Sequence, residues 1–370
     1  MINWNCFTEK NDDFAIYINI PFCNTACSFC HYIRNIEFKH NSVPESYLEI
    51  LVRQIINILS LYKSSRKPIS LYIGGGTPSL LSPEQLNTIF LTLDNYIEKF
   101  DEICIEIHPS TWNPKYIELS RISRFSIGVQ SFDKERLYKW KRLPYSYLEI
   151  SNIIDLIRKY VPLSIINIDL LFDVYIDEKD IVLAQSLNPD SITIYPKTGK
   201  KNPGDVSTIK QGIEKTATLL SDYTSIGQSS FLFQKSNNTI SKYSIHEYRD
   251  MGDIIGFGHN SVTFLNEDAY LCTYKDGNFF YSTKFQGDRY LRTLITGIKI
   301  GVAKNKILNI NSEIMNYLKP SNNDNLWYLP KCNYRSFYEY IVRTYSTELS
   351  KLFLKSVLFG DDREELIDET

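Results

Sequence analysis

The chain has 370 residues, with 41 Lys and Arg against 43 Asp and Glu and a formal net charge of −2. That balance lacks the basic excess that phosphate binding needs, so no nucleic-acid partner is expected. No apolar run reaches the ~18 residues of a membrane span, and the N-terminus lacks a basic region followed by an apolar stretch, so the expected location is the cytoplasm. Three clustered and four scattered cysteines do not read as a disulfide framework.

A buried strand is predicted over residues 14–20, followed by a helix from Pro44 to Ser60 with Leu48, Leu51, Ile55, Ile56 and Leu59 at helical spacing. The alternation then repeats. Ser70–Ile73 reads as a strand running into three glycines, and Ser82-Pro83-Glu84-Gln85 opens a helix with a serine cap and proline in its first turn. Glu102–Ile107, Arg124–Val129, Ser164–Phe172 and Asp190–Tyr195 read as further strands. Helices are predicted at Asn113–Ile122, Tyr145–Tyr160 and Asp177–Leu187. Six β/α units imply a parallel sheet with helices outside, which right-handed crossovers curl into a partial (β/α)6 TIM-like barrel. Cys23, Gly74–Gly76, Glu106, Gln130, Asp169 and Tyr195 fall at or just past predicted strand C-termini, where such barrels build active sites.

After about residue 200 the pattern breaks. Lys200–Asp205 is loop-like and Val206–Tyr223 helical. From Phe231 onward come short aromatic strands, turns at Gly256-Phe257-Gly258 and Asp276-Gly277, and a helix over Arg289–Val302. The division expected is an N-terminal extension (1–13), the barrel (14–225) and a smaller C-terminal α+β domain (226–370) facing the substrate. The tail 361–365 is acidic and reads as frayed.

The chemistry centres on Cys23, Cys27 and Cys30, spaced C-x3-C-x2-C directly after the first strand. Three close thiolates can hold an iron–sulfur cluster while leaving one iron open. Zinc is the rival, but its sites show a distant second ligand pair, and no second C-x2-C or H-x3-H is present. The three glycines permit close backbone approach. A phosphate loop is their rival, and no G-K-[ST] follows. Cys6, Cys104, Cys272 and Cys332 have no ligand spacing, and His108 and His259 read first as hydrogen-bonded structural residues.

Tyr17-x-Asn19-x-Pro21-Phe22-Cys23 with this cysteine spacing resembles the radical S-adenosylmethionine (SAM) superfamily, and within it the oxygen-independent coproporphyrinogen III oxidase family. The resemblance runs on through Gly74-Gly75-Gly76-Thr77-Pro78, Glu106-Ile107-His108-Pro109, Ser126-Ile127-Gly128-Val129-Gln130-Ser131-Phe132, Arg142 and Asn167-Ile168-Asp169-Leu170, covering about residues 15 to 200. It implies a [4Fe-4S] cluster on Cys23, Cys27 and Cys30, with SAM held by Tyr17, Phe29, Gly75, Gly76, Thr77, Glu106, Gln130, Arg142 and Asp169. Phe29 is expected near the adenine, Arg142 on the SAM carboxylate, and the acceptors Glu106, Gln130 and Asp169 on ribose hydroxyls or the ammonium. Gly256–Ser261 resembles a glycine turn that the family places near its site.

It implies a radical SAM enzyme fed by an electron donor such as flavodoxin or ferredoxin and acting on an organic, small-molecule or tetrapyrrole substrate. The oxidase itself and a haem-binding chaperone are the alternatives. The sequence departs from both. Tyr32 stands where the oxidases carry a fourth cysteine, Asn19 replaces the usual histidine, and Asp173-Val174-Tyr175 replaces G-L-P. Ser244–Arg249 breaks the chaperones' histidine-asparagine and tyrosine-tryptophan pairs.

Overall fold

A computed structural model describes residues 2, 4, 13–30, 42–61, 66–172, 177–196, 215–225, 232–235, 240–298, 301–320, 326–330, 333–345 and 349. Tyr32, residues 173–175, 200–205 and 206–214, Cys6, Cys332 and the acidic tail lie outside them.

Six strands alternate with helices: β1 (Phe14–Ile20), β2 (Pro68–Gly75), β3 (Glu102–Ile107), β4 (Arg124–Gln130), β5 (Ile165–Phe172) and β6 (Ser191–Pro196). They pair in parallel in sequence order. Between them run α1 (Glu45–Leu59), α2 (Pro83–Asp94), α3 (Lys134–Lys139), α4 (Tyr147–Tyr160) and α5 (Glu178–Ser186). With strands in chain order, crossovers of one hand bring every helix to the same face. The helix-facing residues Ile16, Ile18, Leu71, Ile73, Ile105, Phe125, Ile127, Ile166 and Ile168 form the main core with α1, α2 and α4. The other face carries Tyr17, Tyr72, Glu106, Ser126, Asn167, Asp169 and Thr193. A sheet with one apolar and one polar face needs something polar to occupy its inner side, and this is where the motif residues gather.

Local chemistry sets the helix starts. Ser82 and Gln85 form a reciprocal capping box with Pro83 in the first turn of α2, Ser146 and Glu149 form another at α4, and Asp177 caps α5. Asn113–Ile122 departs from expectation. It is a 3-10 turn (Pro114–Leu119) stopped by Ser120, which adopts a left-handed φ of 46°. α3 was not legible as a helix because six residues are too few to show a period; its start is fixed by the Asp133 carboxylate accepting from the amides of Glu135 and Arg136.

The sheet continues in the C-terminal half. β9 (Asp253–Phe257) lies parallel to β1, followed by antiparallel β10 (Val262–Leu265), β11 (Asp268–Lys275) and β12 (Asn278–Phe285). On the opposite edge β8 (Leu232–Gln234) and β7 (Thr224–Ser225) pair antiparallel beyond β6. These additions cover both edges of the six-stranded unit, removing bare backbone donors and acceptors. α6 (Arg289–Gly297) is shorter than expected: the chain turns at Gly301 (φ 94°), and Val302 pairs with Trp327. A second core of Met251, Leu294, Ile295, Ile307, Ile314, Phe337 and Ile341 gathers this helix with α7 (Lys304–Ile310) and α8 (Tyr334–Thr344). Asp253 at the start of β9 joins the halves, its two carboxylate oxygens taken by the buried Arg66 (3.0 Å) and Arg289 (3.1 Å). Among the described residues no helix is long and apolar enough to cross a membrane.

Candidate functional site

The floor of the site is a polar network on the inner face. Glu106 accepts from Tyr72 Oη (2.8 Å) and from the Gly75 amide (3.2 Å). Asp169 accepts from Ser126 Oγ (2.9 Å) and Asn167 Nδ2 (2.8 Å), while Asn167 Oδ1 accepts from Ser191 Oγ and Thr193 Oγ1. Burial pushes Glu106 up to about 7 against the pull of those bonds, and pushes Asp169 up to about 6. Both carboxyls border a cavity of about 150 Å³ lined also by Ser241 and Ser244. Tyr17 stacks on Tyr72 (centroids 5.8 Å), and Tyr243 tilts against both rings.

The rim begins at the end of β2. Gly75 has φ 112°, and a Cβ there would lie 2.3 Å from Asn19 Oδ1. A Cβ on Gly76 would meet the Phe22 carbonyl at 2.6 Å and Cys23 Sγ at 3.0 Å. The glycines therefore let the strand end nest directly against the cysteine loop. Cys23 Sγ lies 3.3 Å from Thr77 Oγ1, and Cys27 Sγ lies 3.6 Å from Thr25 Oγ1. The Cys30 amide donates to the Cys27 carbonyl (3.2 Å), and the Ser28 amide to the Trp140 carbonyl (2.8 Å). Phe29 packs edge-on against Trp140 at 5.7 Å. Burial, with Cys30 and Cys27 close by, pushes the Cys23 thiol up to about 11.

α3 delivers the next element. After Trp140, Lys141 turns left-handed (φ 56°) and the Arg142 amide closes on the Leu137 carbonyl. The Arg142 side chain runs inward with only 9% of its surface exposed. Its guanidinium donates to the Gly128 carbonyl, to Tyr145 Oη (3.1 Å) and toward Cys27 Sγ (3.9 Å). Gln130, at a bulge ending β4, has φ 63°, and its side-chain amide lies 3.1 Å from where a Gly128 Cβ would sit. A left-handed glutamine at a strand end is uncommon and marks a site of stored strain.

The turn Gly256–Ser261 closes the far side. Asn19 Nδ2 donates to the His259 carbonyl (2.5 Å), and Asn19 Oδ1 accepts from Tyr17 Oη (3.1 Å). Gly258 has φ 85°, with room for no Cβ beside the Asn19 carbonyl at 2.3 Å. The structure thus brings together Cys23, Cys27, Cys30, Gly75, Gly76, Thr77, Gln130 and Arg142 at the rim. Tyr17, Glu106 and Asp169 sit in the floor, with Asp169 in mid-strand rather than at a strand end. Asn19, Tyr72, Tyr145, Asn167 and Trp140 were not singled out as site residues. Of these only Asn19 and Asn167 carried a signal, as polar residues inside apolar strands.

The donor set fits an iron–sulfur cluster. Among the described residues no three His, Cys, Asp or Glu side chains converge to hold a single metal ion. Thiolates that each bind a separate iron need no such convergence. The backbone notch at Gly75 and Gly76 suits a small charged ligand against that loop.

Comparison with known proteins gives the site its family. The model of the radical SAM superfamily matches residues 17–183, from Tyr17 through the three clustered cysteines, Gly74–Gly76, Glu106, Gln130 and Arg142 to Asp169 and beyond. The chain carries a radical SAM domain. It is 24% identical over 328 residues to an oxygen-independent coproporphyrinogen III oxidase of Synechocystis sp., spanning 80% of this chain and 69% of that protein. It is 29% identical over 303 residues to the heme chaperone HemW of Buchnera aphidicola subsp. Schizaphis graminum, spanning 75% and 77%. The solved structure of Escherichia coli HemN, described as a coproporphyrinogen III oxidase and radical SAM enzyme, superposes with a TM-score of 0.70 at 17% identity, over 95% of this chain and 92% of that one. That likeness is one of fold: mixed α/β with a parallel sheet.

Proposed function

We propose that this protein is an enzyme that reductively cleaves SAM at a [4Fe-4S] cluster held by Cys23, Cys27 and Cys30, and that the resulting radical acts on an organic substrate. The observation that carries the reading is the nesting of Cys23 against Gly76 and Thr77, because it joins the cluster loop to a backbone notch suited to SAM. A cluster with SAM on its open iron supplies one-electron cleavage of the sulfonium C–S bond, giving methionine and a 5′-deoxyadenosyl radical. The residues have separate tasks. Gly75 and Gly76 present backbone groups to the methionyl end, Gln130 and Glu106 offer acceptors, and Arg142 supplies positive charge while tying Cys27 to β4. Phe29, packed on Trp140, stiffens the loop between two ligands. Tyr17 and Asp169 support the floor, and the stacked tyrosines help exclude water from the radical. Electrons come from a flavodoxin- or ferredoxin-like donor in the cytoplasm, and residues 226–370 cap the substrate.

The second reading is a haem-binding chaperone, favoured by the HemW relative. Two of the described histidines are already engaged. His246 Nε2 is bonded to the Asp253 carbonyl (2.9 Å) and 4% exposed, and His259 Nδ1 accepts from the Tyr274 amide. The deciding experiment is anaerobic incubation of reconstituted protein with SAM and dithionite, followed by mass spectrometry. Release of 5′-deoxyadenosine dependent on all three cysteines supports the enzyme. Tight haem binding without it supports the chaperone.

A further inference from the structure

His108 follows β3 directly, two residues past Glu106, and opens the 3-10 turn Pro109–Thr111. Its Nδ1 lies 3.2 Å from the Ser110 amide and 2.8 Å from Ser110 Oγ. An amide N–H can only donate, so Nδ1 is the bare acceptor and the neutral ring carries its proton on Nε2. The ring stays neutral: burial, helped by the charge on Arg142, pushes its pKa down to about 2. Capping the turn thus uses one nitrogen and leaves the other as a fixed donor. That donor is buried and has no partner among the described residues, in a side chain 6% exposed. Buried N–H groups are rarely orphaned, so an acceptor is expected there.

The surroundings say which kind. The ring meets the edge of Tyr145 (5.9 Å), whose hydroxyl takes Arg142 Nε, and the Arg142 guanidinium reaches toward Cys27. Burial is the larger cause of that depression, but the Arg142 charge beside the ring disfavours a sulfonium or ammonium there and attracts a carboxylate. We propose that His108 Nε2–H donates a hydrogen bond to the methionyl carboxylate of bound SAM, beside Arg142. The inference rests on the reading of this site as a SAM site and adds a residue to it.

Two isosteric variants separate capping from binding. In His108→Asn the amide oxygen stands in for Nδ1, keeping the cap and losing the distal donor; in His108→Gln the amide nitrogen stands in for Nε2. Equilibrium dialysis on anaerobically reconstituted protein should show SAM dissociating about tenfold more readily from His108→Asn, with unchanged iron content and melting temperature. His108→Gln should recover most of the affinity. Decarboxylated SAM, used as the probe, should bind the parent and His108→Asn alike. Equal SAM affinity in His108→Asn, or an equal loss for the decarboxylated probe, overturns the proposal. A parent with full iron content that binds no SAM overturns both the proposal and the SAM site beneath it, whereas a parent that binds SAM tests His108 alone.

Discussion

Asn19 Nδ2 donates to the carbonyl of His259, 240 residues further along, and this 2.5 Å bond fastens the glycine turn after β9 to the end of β1. The Tyr47 hydroxyl sits at the same junction, accepting from the His259 amide (3.0 Å) and donating to the Asn19 carbonyl (3.5 Å). The C-terminal half is thereby locked beside the cysteine loop by buried polar bonds rather than by apolar contact alone. Asn19→Ala should cost about 1–3 kcal/mol, the scale of removing its hydrogen bonds to the His259 carbonyl and the Tyr17 hydroxyl. Gly258→Ala should cost more, since a side chain there meets both a left-handed φ and the Asn19 carbonyl. Denaturant unfolding of the two variants checks the order. Equal stability of Asn19→Ala and the parent would remove the bond from the account.

Gly76 controls the cluster loop by contact. A methyl at Gly76 would press on the Phe22 carbonyl and on Cys23 Sγ, both backbone-near groups with little freedom to retreat. Gly76→Ala is therefore expected to shift Cys23 and to lower iron and sulfide incorporation on anaerobic reconstitution by about half or more, with the fold retained, because core overpacking of one methyl costs on the order of 1–3 kcal/mol. Iron content and far-ultraviolet dichroism measured on the same sample distinguish a damaged loop from an unfolded chain. Full incorporation would mean the loop yields more easily than its contacts indicate.

The strands and their order were legible because period-2 and period-3.6 patterns alternate cleanly from Phe14 to Tyr195, and the rim was legible because cysteines and glycines carry their chemistry in their spacing. The floor was not. Asn167 and Ser126 look like ordinary strand residues until β4 and β5 are paired and bring them to Asp169. Arg142 could be matched by spacing, but its tie to Gly128 and Cys27 depends on the short α3 and the left-handed Lys141, neither of which has a periodic signature. The continuation of the sheet by β9 was also hidden, because pairing with β1 spans more than two hundred residues and nothing local specifies it.

The two floor carboxyls predict a pH effect with a definite sign. Glu106, raised to about 7 chiefly by burial, keeps in the folded state a proton that the unfolded chain has already released above its usual carboxylate value. Folding therefore binds protons, and stability falls as pH rises from the ordinary carboxylate range to about 7, then levels off; Asp169, raised to about 6, acts in the same direction. Glu106→Gln can still accept from the Gly75 amide and donate to Tyr72, so it should fold and lose its share of the slope. Between about pH 5 and pH 7.5 its stability should fall by roughly 1–3 kcal/mol less than the parent's. Parallel slopes would show that Glu106 is ionised throughout.

The choice of substrate is the last expectation. Coproporphyrinogen III carries four carboxylates, and a pocket that positions such a molecule for decarboxylation needs free cations around its rim. Here several arginines are committed elsewhere. Arg66 and Arg289 are buried on Asp253, Arg124 pairs with Glu102 (2.9 Å), and Arg136 bridges Asp177 and Asp180. Arg142, at the rim, already donates to Gly128, Tyr145 and Cys27. The cysteine that the oxidases carry two positions after the third ligand is Tyr32 in this sequence, which offers bulk and no thiol. Reduced protein with SAM should therefore form 5′-deoxyadenosine while leaving coproporphyrinogen III essentially unconverted. The check is an anaerobic assay with SAM, reductant and coproporphyrinogen III, read by fluorescence of the oxidised porphyrins and by mass. Protoporphyrinogen IX formed in proportion to 5′-deoxyadenosine would restore the oxidase reading and place the missing cations outside the residues described here.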